Sequence, residues 1–380
     1  MTDLTVLLAS DSFKGSASSA EIAELLEQGV RRVVPECVTK AYAIADGGEG
    51  TVAAVVTACG GEYRTARVIG PLGDEVFARY GLIGDAAVIE VAQSSGITLI
   101  EQNHGNALRA SSYGVGQLIL DALDCNVKRI YVGLGGSATS DGGAGMAQAL
   151  GVRLLNEQGN PISRGLLGLD ELFRIDCSGI DSRITDVEIV ALTDVCNPLV
   201  GAEGAVSVYG PQKGIERDQV MMLDGWMKRY ASLITESTGR DVSGLPGAGA
   251  AGGLGAALVA FCGARITSGI DTLLDLIGLE QALDDVDLVI TGEGRMDAQS
   301  VQGKAPIGVA KLAKRHGKPV IAVVGSRADD LGDVYAKGID VVVSAVTQPA
   351  TLDECLQRVR VSVPIAAETA VRAFLLGRSQ

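Results

Sequence analysis

Short apolar runs that end in polar, glycine-containing stretches recur along the chain, and most are followed by residues with helical spacing. Residues 4–10 are nearly all apolar, as a strand buried on both faces requires. Beyond them Ile22, Leu25, Leu26, Val30 and Val33 share one helical face, with Ser18 or Ser19 placed to cap it. Residues 39–44 predict a second strand and 52–59 its helix. From 61 to 100 the period shortens to alternating runs split by Gly, Pro and Asp, which predicts antiparallel strands joined by turns. A helix over 115–123 leads to the stretch 128–151, read as strand, glycine-rich loop and helix. Residues 151–184 read as irregular, 188–192 as a strand, and 208–234 as a loop and a long helix. A second glycine-rich loop, 246–253, opens another helix. Strands over 287–290, 318–325 and 340–345, a helix over 307–314 and a single C-terminal helix over 352–376 complete the pattern.

Two βα units at the beginning and three at the end share one texture, and the middle is mixed. At 380 residues the chain exceeds one compact core. The expected fold is therefore α/β with two domains. Residues 1–62 and 286–380 would form a discontinuous parallel-sheet domain of Rossmann/flavodoxin-like type, with a mixed α/β domain, 63–285, inserted into it.

Composition narrows the function classes. Fifty glycines with only 4% aromatics suit tight βα turns and argue against a base-stacking surface. A net charge of −14 without any Lys/Arg-rich block argues against nucleic acid as a partner. The seven cysteines show no CxxC or zinc spacing, so reduced thiols in a cytoplasmic protein are expected. No apolar run reaches the roughly 20 residues of a membrane helix, and the N-terminal run reads as a buried strand rather than a signal peptide.

Candidate chemistry collects where strands end. The loop after residue 132 carries Gly133, Gly135, Gly136, Gly142, Gly143 and Gly145 around Ser137, Thr139, Ser140 and Asp141. Glycine lets backbone N–H groups approach an anion, and a following helix start adds partial positive charge, so a phosphate is the expected occupant. The spacing matches neither a phosphate loop ending in Gly-Lys-Ser/Thr nor a clean dinucleotide fingerprint. Close packing of a helix on a sheet is the competing explanation. Further clusters are Asp11, Ser12 and Lys14; Asp46 and Glu49; Asp194 and Asn197; Gln212 and Lys213; and Glu293, Arg295, Asp297, Gln299 and Lys304. Carboxylates near glycine turns hold Mg²⁺, and lysines and backbone N–H groups hold phosphates, so together they suit phosphoryl transfer. With only two histidines and no Gly-x-Ser-x-Gly elbow, a histidine-dependent hydrolase or zinc enzyme is poorly supported.

The motifs DSFKGS (11–16), ADGGEGT (45–51), GLGGSATSDGGAG (133–145), VYGPQKG (208–214), PGAGAAGGLGAAL (246–258) and TGEGRMDAQSVQGKAP (291–306) resemble, in order, the motif set of the bacterial type I glycerate kinases. The resemblance implies ATP- and Mg²⁺-dependent phosphorylation of D-glycerate, usually at the 2-hydroxyl, in glyoxylate, glycolate or sugar-acid catabolism. It also implies two α/β domains with the active site in the cleft between them. Ala17 and Cys196 depart from the family pattern, and Cys196 is given no catalytic duty.

Glycerate offers a carboxylate and two hydroxyls, so its site needs cations and a hydroxyl acceptor. Lys14, Asp194 and Asp297 are the catalytic candidates, and Arg295, Ser12 and Asn197 the substrate-binding ones. Gly135, Gly136, Ser137, Thr139, Gly142, Lys213, Gly249 and Gly252 are assigned to ATP, and Asp46, Glu49 and Glu293 to Mg²⁺. Any of these carboxylates has a helix cap or turn contact as its competing role, Asp141 most of all, and Lys213 has a turn after Pro211. A glycerate 3-kinase, a non-catalytic sugar-acid or nucleotide-binding protein and a nicotinamide-dependent dehydrogenase are the rival functions. A homo-oligomer is compatible with the pattern.

Overall fold

The structure is a computed structural model that describes residues 4–45, 47–301 and 304–378. The chain separates into two compact units. One comprises Met1–Asp46, Ala53–Cys59 and Gly269–Gln380, and the other Gly47–Val52 and Gly60–Ser268.

The first unit is built on a five-stranded sheet in the order Val341–Ser344, Val320–Val324, Leu288–Gly292, Thr5–Ser10, Val38–Ala43, with every pairing parallel. The three central strands are buried almost throughout, and the two edge strands are partly exposed. Continuous apolar runs such as VLLA in Thr5–Ser10 are what a sheet covered on both faces demands. The register pairs Ser10 with Gly292, so two polar loops leave neighbouring strand ends together. Helix Ser19–Val33 begins with the Ser18 hydroxyl accepting the Glu21 N–H, and buries Ile22, Leu25, Leu26 and Val30. Gly29 on this helix meets the carbonyl of Pro364 so closely that a Cβ would collide with it. The C-terminal segment differs from the single helix expected. Thr351 and Glu354 form a capping box that starts Leu352–Gln357, and non-helical backbone at Arg358 separates it from Val359–Arg378.

The second unit holds a six-stranded mixed sheet in the order Arg265–Thr267, Glu188–Leu192, Arg129–Gly133, Ala86–Glu90, Glu75–Ile83, Glu62–Ile69. The first four strands run parallel, and the last two join antiparallel, which accounts for the alternating texture of residues 61–100. The expected α/β class, with one parallel and one mixed sheet, is what is found. Residues 151–184, read as irregular, contain a short antiparallel pair, Arg153–Leu155 with Arg174–Asp176. Three-residue strands are too short for periodicity to register.

Candidate active site

Strand Arg129–Gly133 ends in the loop 134–143, and helix Ala144–Ala149 follows it. Gly136 is exposed and Gly135 partly so, whereas Ser137, Thr139, Ser140 and Asp141 are buried. Asp141, 0% exposed, has a carboxylate surrounded by donors: the N–H and hydroxyl of Ser112 at 2.8 and 2.9 Å, and the N–H groups of Gly143 and Gly145 at 3.0 and 3.1 Å. Burial pushes its carboxyl above the usual range, and these hydrogen bonds pull the other way. The helix start, expected to receive a ligand's phosphate, is thus occupied by the protein's own anion. Donors satisfied by Asp141 are not offered to solvent.

Lys213 closes a short turn, Pro211–Lys213, and is 4% exposed. Its ammonium donates to Ser137 Oγ at 3.0 Å and to the Thr139 carbonyl at 2.6 Å. Burial lowers its pKa to about 8, and the Asp141 charge opposes that shift. The side chain thus secures the loop from inside. The Tyr230 phenol, from helix Val220–Thr238, is also fully buried within the electrostatic reach of Asp141, and burial raises its pKa. Among the described residues Tyr230 Oη and Ser140 Oγ have no hydrogen-bond partner. Ser112 and Tyr230 escaped the sequence reading because no motif ties either to the loop.

Glycine packing explains much of the motif pattern. The Gly142 N–H donates to the Gly252 carbonyl at 2.9 Å, and a Cβ on Gly252 would collide with the Thr139 carbonyl. Ala251, Gly252 and Gly253 all take left-handed backbone, with φ of 51, 67 and 95°. Gly249 lies against the Pro198 carbonyl in the same close manner. Gly142, Gly249 and Gly252 therefore interlock backbone segments. Gly135 is a packing position too, since a Cβ there would lie 2.5 Å from Gly48 Cα.

Past strand Glu188–Leu192, Asp194 is half-buried and accepts a 2.9 Å hydrogen bond from the Ser268 hydroxyl. Asn197 braces its own loop, donating to the Glu203 carbonyl at 2.8 Å and accepting from the Tyr209 hydroxyl at 2.6 Å. Cys196 is exposed.

In the first unit, two loops lie side by side after Ser10 and Gly292. Gly294 is close enough for a Cβ to sit 3.5 Å from Phe13 Cα and 3.6 Å from the Lys14 nitrogen. Lys14 is exposed, and the Ser12 N–H donates to Asp11 Oδ1 at 2.6 Å. Glu293 is buried, with Oε2 2.9 Å from the Lys304 ammonium and Oε1 unpartnered among the described residues. Burial raises its carboxyl pKa against the pull of Ser300 and Lys304. Arg295 is exposed and lies 3.7 Å from Asp297, whose Oδ1 also accepts the Gln299 N–H at 3.0 Å. Asp297 thus makes the turn contact that competes with a chemical role.

Magnesium requires oxygen donors and keeps several waters, usually with one or two carboxylates plus phosphates. Among the described residues no group of three or more His, Cys, Asp or Glu converges to hold a metal ion. The buried, unpartnered Oε1 of Glu293 fits one such ligand position, and Glu49 is exposed. Asp46 lies outside the described residues.

The chain matches the family described as "Glycerate kinase family" over residues 6–375. The chain belongs to the glycerate kinase family. A glycerate kinase from Halalkalibacterium halodurans is 50% identical over 93% of this chain and 94% of its own. One named glycerate 2-kinase, from Escherichia coli K12, is 47% identical over 93% of each chain. A crystal structure from Salmonella typhimurium LT2, provisionally named glycerate kinase 2, superimposes with a TM-score of 0.87 at 45% identity and covers both chains completely. As a member of the glycerate kinase family the chain is an enzyme, a kinase acting on glycerate with ATP as co-substrate. Among its described residues no helix is long and apolar enough to cross a membrane.

Proposed function

We propose that this glycerate kinase transfers the γ-phosphoryl group of ATP to the 2-hydroxyl of D-glycerate, giving 2-phospho-D-glycerate and ADP, in glyoxylate, glycolate or sugar-acid catabolism in the cytoplasm. The single observation behind the 2-position is the 47% identity, over 93% of each chain, to the relative named a glycerate 2-kinase. Catalysis of phosphoryl transfer is mainly positioning and charge neutralisation. In this reading the accessible turn at Gly135 and Gly136 meets the nucleotide phosphates. Exposed Lys14 and Arg295 neutralise the glycerate carboxylate or the transferred group. Asp194 or Asp297 orients the attacking hydroxyl and takes its proton, with Ser12 as a further substrate contact. Glu293 Oε1 and Glu49 are the proposed carboxylate contacts of Mg²⁺, which when bound would neutralise phosphate charge. Ser137, Thr139 and Lys213 serve the nucleotide from beneath the loop, and Asn197 serves the substrate by holding its own loop.

Incubation of the protein with ATP, Mg²⁺ and D-glycerate, followed by phosphorus NMR, tests the reading. A 2-phosphoglycerate resonance is expected. A 3-phosphoglycerate resonance would keep the kinase and overturn the position, and the absence of any phosphoester would favour a non-catalytic binding protein.

A further inference from the structure

We propose that Asp141 and Lys213 form a buried pair of positioning residues that hold the loop 134–143 in the shape its accessible turn, Gly135 and Gly136, needs to bind nucleotide. The proposal rests on the kinase reading and deepens it. Neither charged group is exposed to a ligand: Asp141 is 0% and Lys213 4% accessible. Each grips a different end of the loop. Lys213 takes Ser137 Oγ and the Thr139 carbonyl near the opening end. Asp141 takes the N–H groups of Gly143 and Gly145 at the closing end and ties them to Ser112 on a different segment. The Ser112 hydroxyl in turn accepts the Met146 N–H at 3.0 Å, so the helix start is fixed as well.

Burying two charges is costly, and a well-packed apolar substitute is often as stable or more so, so stability alone is a weak reason for the arrangement. What charged groups add is direction. Six hydrogen bonds of defined geometry fix a glycine-rich backbone that has little side-chain packing of its own. The phenol of Tyr230 and the hydroxyl of Ser140 complete the polar floor.

The test is calorimetric ATP binding in the presence of Mg²⁺, together with kcat and both KM values, for the wild type, Asp141→Asn, Lys213→Met and the double variant. Each single variant is expected to weaken ATP binding by about tenfold or more while the KM for glycerate stays within about twofold. The double variant should lose no more than about the worse single one, because the pair acts as a unit. Folded single variants that bind ATP like wild type would overturn the proposal, as would losses that simply multiply. Should Asp141→Asn or Lys213→Met fail to fold, Ser137→Ala removes the Lys213 contact and Ser112→Ala the hydroxyl that bridges Asp141 and the Met146 N–H. About threefold weaker ATP binding is then expected, and wild-type affinity in both overturns the proposal. A wild type that binds ATP without phosphorylating glycerate, alongside variants that lose ATP, would reject the kinase reading and support the pair. Full wild-type turnover with unaffected variants would do the reverse.

Discussion

The ammonium of Lys304 lies 2.9 Å from Oε2 of Glu293, at the end of the central strand of the parallel sheet, while Oε1 of the same carboxylate is buried without a partner among the described residues. Removing the ammonium leaves a carboxylate in a poorly solvated place. Lys304→Met is expected to cost about 1–2 kcal/mol at neutral pH, a figure held down by the 38% exposure of the Lys304 side chain. A carboxyl whose folded pKa lies above its unfolded one binds more protons in the native state. Folding stability therefore rises as pH falls through the folded value, and the Lys304→Met deficit should shrink on acidification. Urea denaturation at several pH values checks this, and adding Glu293→Gln should recover part of the loss at neutral pH.

Lys213 predicts the opposite pH trend. Its folded pKa of about 8 lies below the ordinary 10.5, so between those values the unfolded chain binds more protons than the native one. Stability from this group rises as pH increases through that window. The difference in unfolding free energy between wild type and Lys213→Met should therefore shift in favour of wild type from about pH 8 upward. A pH-independent difference would mean that the ammonium is not buried as described.

Glycines that are needed separate cleanly from one that is not. Gly252→Ala places a Cβ against the Thr139 carbonyl at a φ of 67°, and should destabilise by more than about 2 kcal/mol. Gly225 is exposed within helix Val220–Thr238, and a methyl group added there would meet nothing within 4 Å, so Gly225→Ala should stabilise by about 0.5–1 kcal/mol. Thermal unfolding of the two variants distinguishes packing glycine from incidental glycine.

Catalytic assignments make a kinetic prediction. Lys14→Ala and Asp194→Asn should each lower kcat/KM by at least about tenfold, or roughly 1.4 kcal/mol of transition-state stabilisation, with folding intact. Cys196→Ser, on the same loop as Asp194, should stay within about twofold of wild type. Steady-state rates of the three variants decide the assignment, and wild-type values for Lys14→Ala and Asp194→Asn would remove those residues from the site.

The βα units at both ends were legible because each buried strand is a continuous apolar run, and helix Ser19–Val33 because its stripe and its Ser18 cap are local features. The alternating texture of 61–100 likewise announced the antiparallel strands. The break at Arg358 was not legible, because apolar spacing continues across it and the local backbone alone interrupts the helix. In the candidate site, the ordered motifs were enough to indicate the glycerate kinase family, which the match over residues 6–375 bears out.

Motif order, apolar periodicity and cap residues are properties of neighbouring positions, so the α/β class, most elements and the family can be read from the chain before it folds. Which polar residues face a ligand depends on contacts between distant positions. Folding alone brings Ser112, 29 residues away, onto Asp141, and Lys213, 76 residues away, onto Ser137. The glycine-rich stretch looks the same whether its N–H groups await a phosphate or already hold a carboxylate. Tertiary packing settles the matter at the helix start by burying Asp141 there, because a buried carboxylate must find donors, and Ser112 and the N–H groups of Gly143 and Gly145 supply them.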